Sequence, residues 1–216
     1  MSRRAHAAHP MPAVATHRTR DPMLYLASKS PRRRELLARL GVEFGLIDLD
    51  IPEQRGPGEP ARDYVARVAR EKAQAGLAGV AGDRDALVLG SDTEVILDDE
   101  VFGKPADADD AAAMLRRLSG RTHEVVSAVS LLSHDGGHHA VAVSQVGFAE
   151  LDDAVIAAYV AGGDAFGKAG AYAIQGVAEA FVTRLDGSHS AVMGLPMRET
   201  AGLLARVGLG PLAVPA

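Results

Sequence analysis

The stretch Ser28-Lys29-Ser30-Pro31-Arg32-Arg33-Arg34-Glu35-Leu36-Leu37 decides how the chain begins to fold. Before it runs Met23-Leu24-Tyr25-Leu26-Ala27, a short apolar segment that reads as a buried strand. Pro31 suits the first turn of a helix, where a missing N–H costs nothing, and Ser30 suits the N-cap before it. Leu36, Leu37 and Leu40 supply an apolar stripe, and Gly41 can end the helix. A strand thus runs into a helix N-terminus that carries Ser28, Lys29, Ser30 and three arginines. Free N–H groups and the positive end of the helix dipole favour an anion there. The plainer reading of such a basic run is a solvated helix face. Successive helical residues point about 100° apart, so the three arginines cannot all serve one ligand. Arg32 is expected to face the anion, and Arg33 or Arg34 to be partly structural.

With 216 residues the chain can bury a substantial core, and 47% hydrophobic against 24% charged residues fits a globular protein. A net charge of −5 argues against a general nucleic-acid binder, which would be basic. The absence of cysteine excludes disulfides and thiolate metal sites, so the expected location is the cytoplasm. No apolar run approaches the roughly 20 residues that span a bilayer, so no membrane role is expected. Residues 1–22 carry Arg3, Arg4, Arg18, Arg20 and three histidines, with no acid until Asp21. They read as a disordered N-terminal extension. Residues 23–210 are expected to form a single domain, and 211–216 a short tail.

From Val42 to Leu49 a second strand is expected, then Asp48-Leu49-Asp50-Ile51-Pro52-Glu53 and a Gly/Pro loop to Pro60. A helix beginning there puts Ala61, Val65, Val68 and Lys72 on one face. A lysine extending an apolar stripe either snorkels at the core's edge or leans into a cleft that holds an anion. Ala86-Leu87-Val88-Leu89-Gly90 is a buried strand expected to end at Ser91-Asp92-Thr93-Glu94. Carboxylates and hydroxyls at the carboxyl end of a core strand are where α/β proteins often place ligand chemistry. Val95 to Phe102 reads as a hairpin around Asp98-Asp99, and a helix follows from about Asp107 to Gly120.

Thr122–Leu132 and Ala140–Phe148 read as a long hairpin with a glycine turn; its tip histidines, His134, His138 and His139, match no metal spacing. Asp152 to Ala161 reads as a short helix. Gly162-Gly163-Asp164-Ala165-Phe166-Gly167-Lys168 has P-loop spacing, but Ala169 stands where the Mg²⁺-binding hydroxyl belongs, so the P-loop reading is rejected. Lys168 to Gly176 reads instead as a loop whose glycines allow close approach to a ligand, with Lys168 and Gln175 its recognising side chains. Ala180–Leu185 is expected as a strand, and Val192-Met193-Gly194-Leu195-Pro196 as the approach to a last helix.

The opening motif resembles that of the Maf family of nucleoside triphosphate pyrophosphatases. Further segments resemble the family in the same order: Leu89–Thr93, Phe102–Pro105, Met114–Arg121, Lys168–Gly176 and Val192–Pro196. The resemblance implies an α/β fold, an elongated mixed sheet flanked by helices, with two lobes around a cleft. It also implies hydrolysis of nucleoside triphosphates to the monophosphate and pyrophosphate. Asp92 matches the family's catalytic carboxylate; Arg32, Thr93 and Gln175 match its specificity positions; Lys72, Lys104 and Lys168 match lysines lining the cleft. The form Lys-Ala-Gly-Ala-Tyr-x-Ile-Gln-Gly is similar to that of the branch acting on dTTP and UTP. Three positions depart from the pattern: Ser91 for alanine, Glu94 for an apolar residue, and Ala173 for a glycine beside the implied base pocket.

Asp92, Glu53 and Lys104 are then the expected catalytic group, and Ser28, Ser30, Arg32, Arg33, Lys72, Thr93, Lys168 and Gln175 the expected substrate contacts. The cations offset charge shifting to the leaving pyrophosphate. Mg²⁺ or Mn²⁺ is expected, held by the hard oxygens of Asp92 and Glu53. Asp92 would be either general base or metal ligand. The resemblance allows a homodimer. Its alternative reading, from the family's link to septum formation, is a nucleotide-binding regulator of cell division without significant turnover.

Overall fold

A computed structural model describes residues 23–210. The expected extension at 1–22 and tail at 211–216 lie outside the described residues. The first strand, β1 (Leu24–Ala27), is apolar and almost wholly buried. Helix α1 (Pro31–Ala38) follows, capped by Ser30, whose side chain accepts from the Arg33 N–H. Strand β2 (Gly45–Ile47) is shorter than the Val42–Leu49 expected, because only these three residues pair, in parallel, with β1.

Helix α2 (Ala61–Gly79) buries Ala61, Val65, Val68 and Lys72 along one face. Pro60 offers no side-chain cap; the Asp99 carboxylate, arriving from a later hairpin turn, accepts from the Ala61 N–H instead.

The largest departure from expectation is strand β3 (Leu87–Leu97). It does not end at Ser91–Glu94 but runs straight through them. One edge pairs antiparallel with β5 (Thr122–Ser133) from Val88 to Ile96, which holds the polar residues in the sheet. The other edge pairs in parallel with β1 over Leu87–Gly90 and antiparallel with β4 (Glu100–Phe102) over Val95–Leu97. Between those partners that edge is open at Ser91, Asp92, Thr93 and Glu94. The sheet is mixed, in the order β2-β1-β3-β5-β6-β7, with β4 beside β3. Strands β6 (Gly136–Phe148) and β7 (Val182–Asp186) continue it antiparallel.

Strand alternation gives β3 two characters. Val88, Gly90, Asp92, Glu94 and Ile96 face α2. Leu87, Leu89, Ser91, Thr93, Val95 and Leu97 face the main core with α1 and the C-terminal helices. Gly90 is required on the first face: a Cβ there would lie 2.4 Å from the Ala69 carbonyl oxygen of α2.

The remaining helices are α3 (Ala108–Leu118), capped by Asp107, and α4 (Asp153–Ala161), capped by Asp152. Helix α5 (His189–Met193) was not expected; five residues are too few for a periodicity, though Ser188 caps it. Helix α6 (Met197–Arg206) closes the described chain. Two smaller corrections follow from pairing. The β5–β6 turn is His134–Asp135 with the glycines already in β6, and residues 177–181 form a 3₁₀ turn, so β7 starts only at Val182. No described helix is long and apolar enough to cross a membrane.

Candidate active site

β1 stops at Ala27 while β3 continues, so the start of α1 and the open edge of β3 border one cavity of about 350 Å³. It lies at the carboxyl end of a parallel strand, where the chain order reverses across the sheet. Ser28, Ser30, Arg32, Arg33, Glu53, Lys72, Asp92, Thr93, Lys104, Lys168 and Gln175 all line it. Every site residue expected from the sequence is therefore brought to this one place. Arg34 is exposed and turned away.

On the α1 side the cavity is built from hydrogen bonds to main chain. Ser28 Oγ accepts from the Ser30 N–H at 3.2 Å, and Ser30 Oγ caps the helix. An accepting hydroxyl keeps its proton to donate, so both can still face a phosphate. The carbonyls at the end of α5 aim the arginines: Arg33 Nε donates to Gly194 O at 2.8 Å and Arg32 Nε to Met193 O at 3.4 Å. Gly194 is left-handed, with φ 118°, which ends α5 sharply and turns its carbonyl toward both Arg33 and Ser91. Arg33 also donates to Thr93 Oγ1, which shares a 2.6 Å bond with Ser127 Oγ. Arg33 is accordingly both cavity wall and brace. Burial lowers the pKa of Arg32 and of Arg33 from the usual guanidinium range.

On the α2 side the groups are charged. Lys72 leans into the cavity, resolving the alternative left by its periodicity: its Nζ lies 2.8 Å from both Asp92 Oδ1 and Glu53 Oε1. Glu53 stands on a loop clasped to the fold, with Arg67 donating to Gln54 O and to Glu59, and Arg55 to Asp99. Asp92 and Glu94 are 2% and 7% exposed, and Asp92 Oδ2 and Glu94 Oε2 are buried without a hydrogen-bond partner among the described residues. Burial, then the charges of Asp92 and Glu53, push the Glu94 carboxyl up to about 8. One oxygen from each of Glu53, Asp92 and Glu94 lies within 4.8 Å of the others. Carboxylates so grouped, two of them with an unmatched buried oxygen, fit a hard divalent cation.

Glu94 was missed as a site residue. Its signal was the Asp92-x-Glu94 spacing, which shares a face only if the strand continues. Ser127 was missed as well, being one serine within a strand.

The far wall carries Lys104 and Lys168. The Gly170 N–H donates to Gly103 O at 3.1 Å, which ties the Lys104 turn to the Lys168–Gly176 loop. Burial and the nearby Arg32 lower the Lys168 pKa. The loop is also held by Ala173 N–H to the Tyr159 hydroxyl and Gly176 N–H to Ala173 O. Gln175 is exposed at the cavity and Ala173 buried beside it. Residues 162–168 form turns after α4, with no strand before them, which agrees with rejecting a P-loop.

Fold and site together define an α/β protein with a cleft lined by cationic side chains beside a buried carboxylate cluster. The chain belongs to the Maf family: the family model described as Maf-like protein matches residues 23–207. A protein of Xanthomonas axonopodis pv. citri (strain 306) named dTTP/UTP pyrophosphatase is 60% identical over 188 residues, covering 86% of this chain and 99% of that protein. Another, from Xylella fastidiosa (strain 9a5c) and named nucleoside triphosphate pyrophosphatase, is 59% identical over 186 residues, 84% of this chain and 97% of its own.

Proposed function

We propose that this chain is a nucleoside triphosphate pyrophosphatase that hydrolyses dTTP and UTP to the monophosphate and pyrophosphate, with residues 23–210 as its catalytic domain. The observation that carries this reading is the buried Asp92, paired with Lys72, facing Arg32, Arg33, Lys104 and Lys168 across one cavity. A pure binder of nucleotides gains nothing from burying carboxylates where a triphosphate must lie, so the regulatory reading is the weaker one.

In this reading Ser28, Ser30 and the N–H groups of α1 hold the phosphate chain, and Arg32 and Arg33 neutralise it. Asp92 accepts a proton from the attacking water as the water oxygen bonds phosphorus and the α–β phosphoanhydride bond breaks. Lys104 and Lys168 offset the charge gathered on the departing pyrophosphate. Asp92 and Glu53 would hold Mg²⁺ or Mn²⁺, which when bound supplies charge neutralisation on the phosphate oxygens. Lys72 keeps both carboxylates in place.

Gln175 reads the base. Its amide offers a donor and an acceptor to the uracil or thymine edge, whose N3–H lies between two carbonyls. Backbone bonds to Gly103, to the Tyr159 hydroxyl and within the loop hold it without that side chain, which leaves the amide for a ligand. A cytoplasmic location fits a nucleotide substrate and a chain without cysteine. Steady-state kinetics on dTTP, UTP, dCTP and CTP test the reading. Wild type should prefer the first two, and Gln175→Ala should lose that preference; an equal slowing on all four would assign Gln175 to the loop alone.

A further inference from the structure

We infer that Glu94 is the third carboxylate of a divalent-cation site with Asp92 and Glu53, and that this site takes its cation before any nucleotide arrives. The inference rests on the metal-dependent reading above and adds to it a residue and an order of binding.

Three observations carry it. Glu94 is buried to all but 7% and projects from the same face of β3 as Asp92, two residues away. Lys72 already meets Asp92 Oδ1 and Glu53 Oε1, yet Asp92 Oδ2 and Glu94 Oε2 remain buried and unmatched among the described residues. The lysine thus serves one side of the cluster and leaves the other without a cation. Hard-oxygen sites have bonds of about 2.0–2.6 Å, so opposed ligand oxygens lie about 4–5 Å apart. One oxygen from each of the three carboxylates lies within 4.8 Å of the other two, close enough for one cation to reach all three.

Charge argues for the order. Among the described residues six cationic and four acidic side chains line the cavity. With every carboxylate ionised their excess is two, and with Glu94 protonated three, which still falls short of the several negative charges of a triphosphate. Once ionised, a third buried carboxylate in the path of a polyphosphate repels it unless a cation stands between them. With three protein carboxylates the site need not borrow phosphate oxygens to hold that cation, and its remaining positions stay open to water and substrate.

The test is Mn²⁺ binding to full-length, chelator-stripped protein without nucleotide, read from the EPR signal of free Mn²⁺. Wild type should bind Mn²⁺, and Glu94→Gln should bind it about 10- to 100-fold more weakly. Equal affinity in the two proteins, as expected of a protonated Glu94 that only fills space, overturns the inference. So does a wild type that binds Mn²⁺ only with nucleotide present. Pyrophosphate release from dTTP, measured in parallel, separates the two readings: release with unchanged Mn²⁺ affinity condemns the Glu94 inference alone, while no release condemns the pyrophosphatase reading. Should Glu94→Gln fail to fold, paramagnetic broadening in wild type decides. Mn²⁺ should broaden the backbone amides around Glu53, Asp92 and Glu94, and broadening centred elsewhere overturns the inference.

Discussion

The two faces of β3 solve opposite problems within a four-residue span. On one, Ser91 and Thr93 spend their hydroxyls on Gly194 O and Ser127, so that the arginines of α1 and the end of α5 are locked together by satisfied bonds. On the other, Asp92 and Glu94 keep an oxygen each that nothing described satisfies. Buried polar groups in folded proteins are nearly always paired, and unpaired ones mark strain, chemistry or a missing ion. In the proposed reading the hydroxyl face serves as scaffold and phosphate grip, and the acidic face as the seat of the chemistry. Its unmet oxygens support that assignment.

The largest effect should come from the acidic face. Asp92→Asn keeps the shape and removes the charge, and turnover of dTTP should fall by about 10²–10⁴-fold while the circular dichroism spectrum and melting profile stay native-like. A variant retaining most of the rate would erase the distinction between the faces.

Next comes the grip. Arg32→Ala should raise KM for dTTP by about 10- to 100-fold, matching the ~1.5–3 kcal/mol of a charge-assisted bond. Arg34→Ala, on the exposed side of the same helix, should change it by less than about two-fold. Equal losses would mean that the wrong side of α1 has been assigned to the phosphates.

The two sides of the sheet should also respond to pH with opposite sign, through His123 of β5 on the main-core side and Glu94 of β3 on the α2 side. His123 is fully buried, bonds Tyr172, and is held at about 4 by desolvation. Its stabilisation is complete above the unfolded value near 6.5 and is lost as pH falls from there toward 4, about 2 kcal/mol between pH 6.5 and 5. Glu94 runs the other way: in metal-free protein its raised carboxyl stabilises below about 4.5 and loses that contribution as pH rises through 8. Denaturant unfolding of wild type against His123→Gln isolates the first term, since the gap between the two should narrow as pH drops from 6.5 to 5. A gap that stays constant would mean that the histidine titrates normally.

The smallest effect should be that of Ser91→Ala. Gly194 O keeps its bond from Arg33, so about 1 kcal/mol of stability should go and turnover should stay within about two-fold. A large loss of rate would show that the hydroxyl face takes part in the chemistry.

What the amino-acid sequence alone discloses follows the same division. The cap at Ser30, the stripe ending in Lys72 and the hairpin at Asp98-Asp99 are local patterns, and each stands where periodicity or turn chemistry puts it. The course of β3 was not legible. Four polar residues after an apolar run look like a strand's end, and only the pairing with β5 keeps them in the sheet. Glu94 was lost with that error. Helix α5 is too short for periodicity, yet its last carbonyls aim Arg32 and Arg33. The convergence of Glu53, Lys72 and Asp92 depends on how the 48–60 loop is clasped by Arg55 and Arg67, a tertiary fact that no local pattern carries.

The central claim is that this cavity breaks the α–β bond of a nucleoside triphosphate through Asp92. ³¹P NMR of dTTP incubated with wild-type protein and Mg²⁺ or Mn²⁺ tests it directly. The account predicts dTMP and pyrophosphate as the first products, with neither formed by Asp92→Asn on the same time scale. Appearance of dTDP and orthophosphate, or equal product formation by the variant, would contradict it.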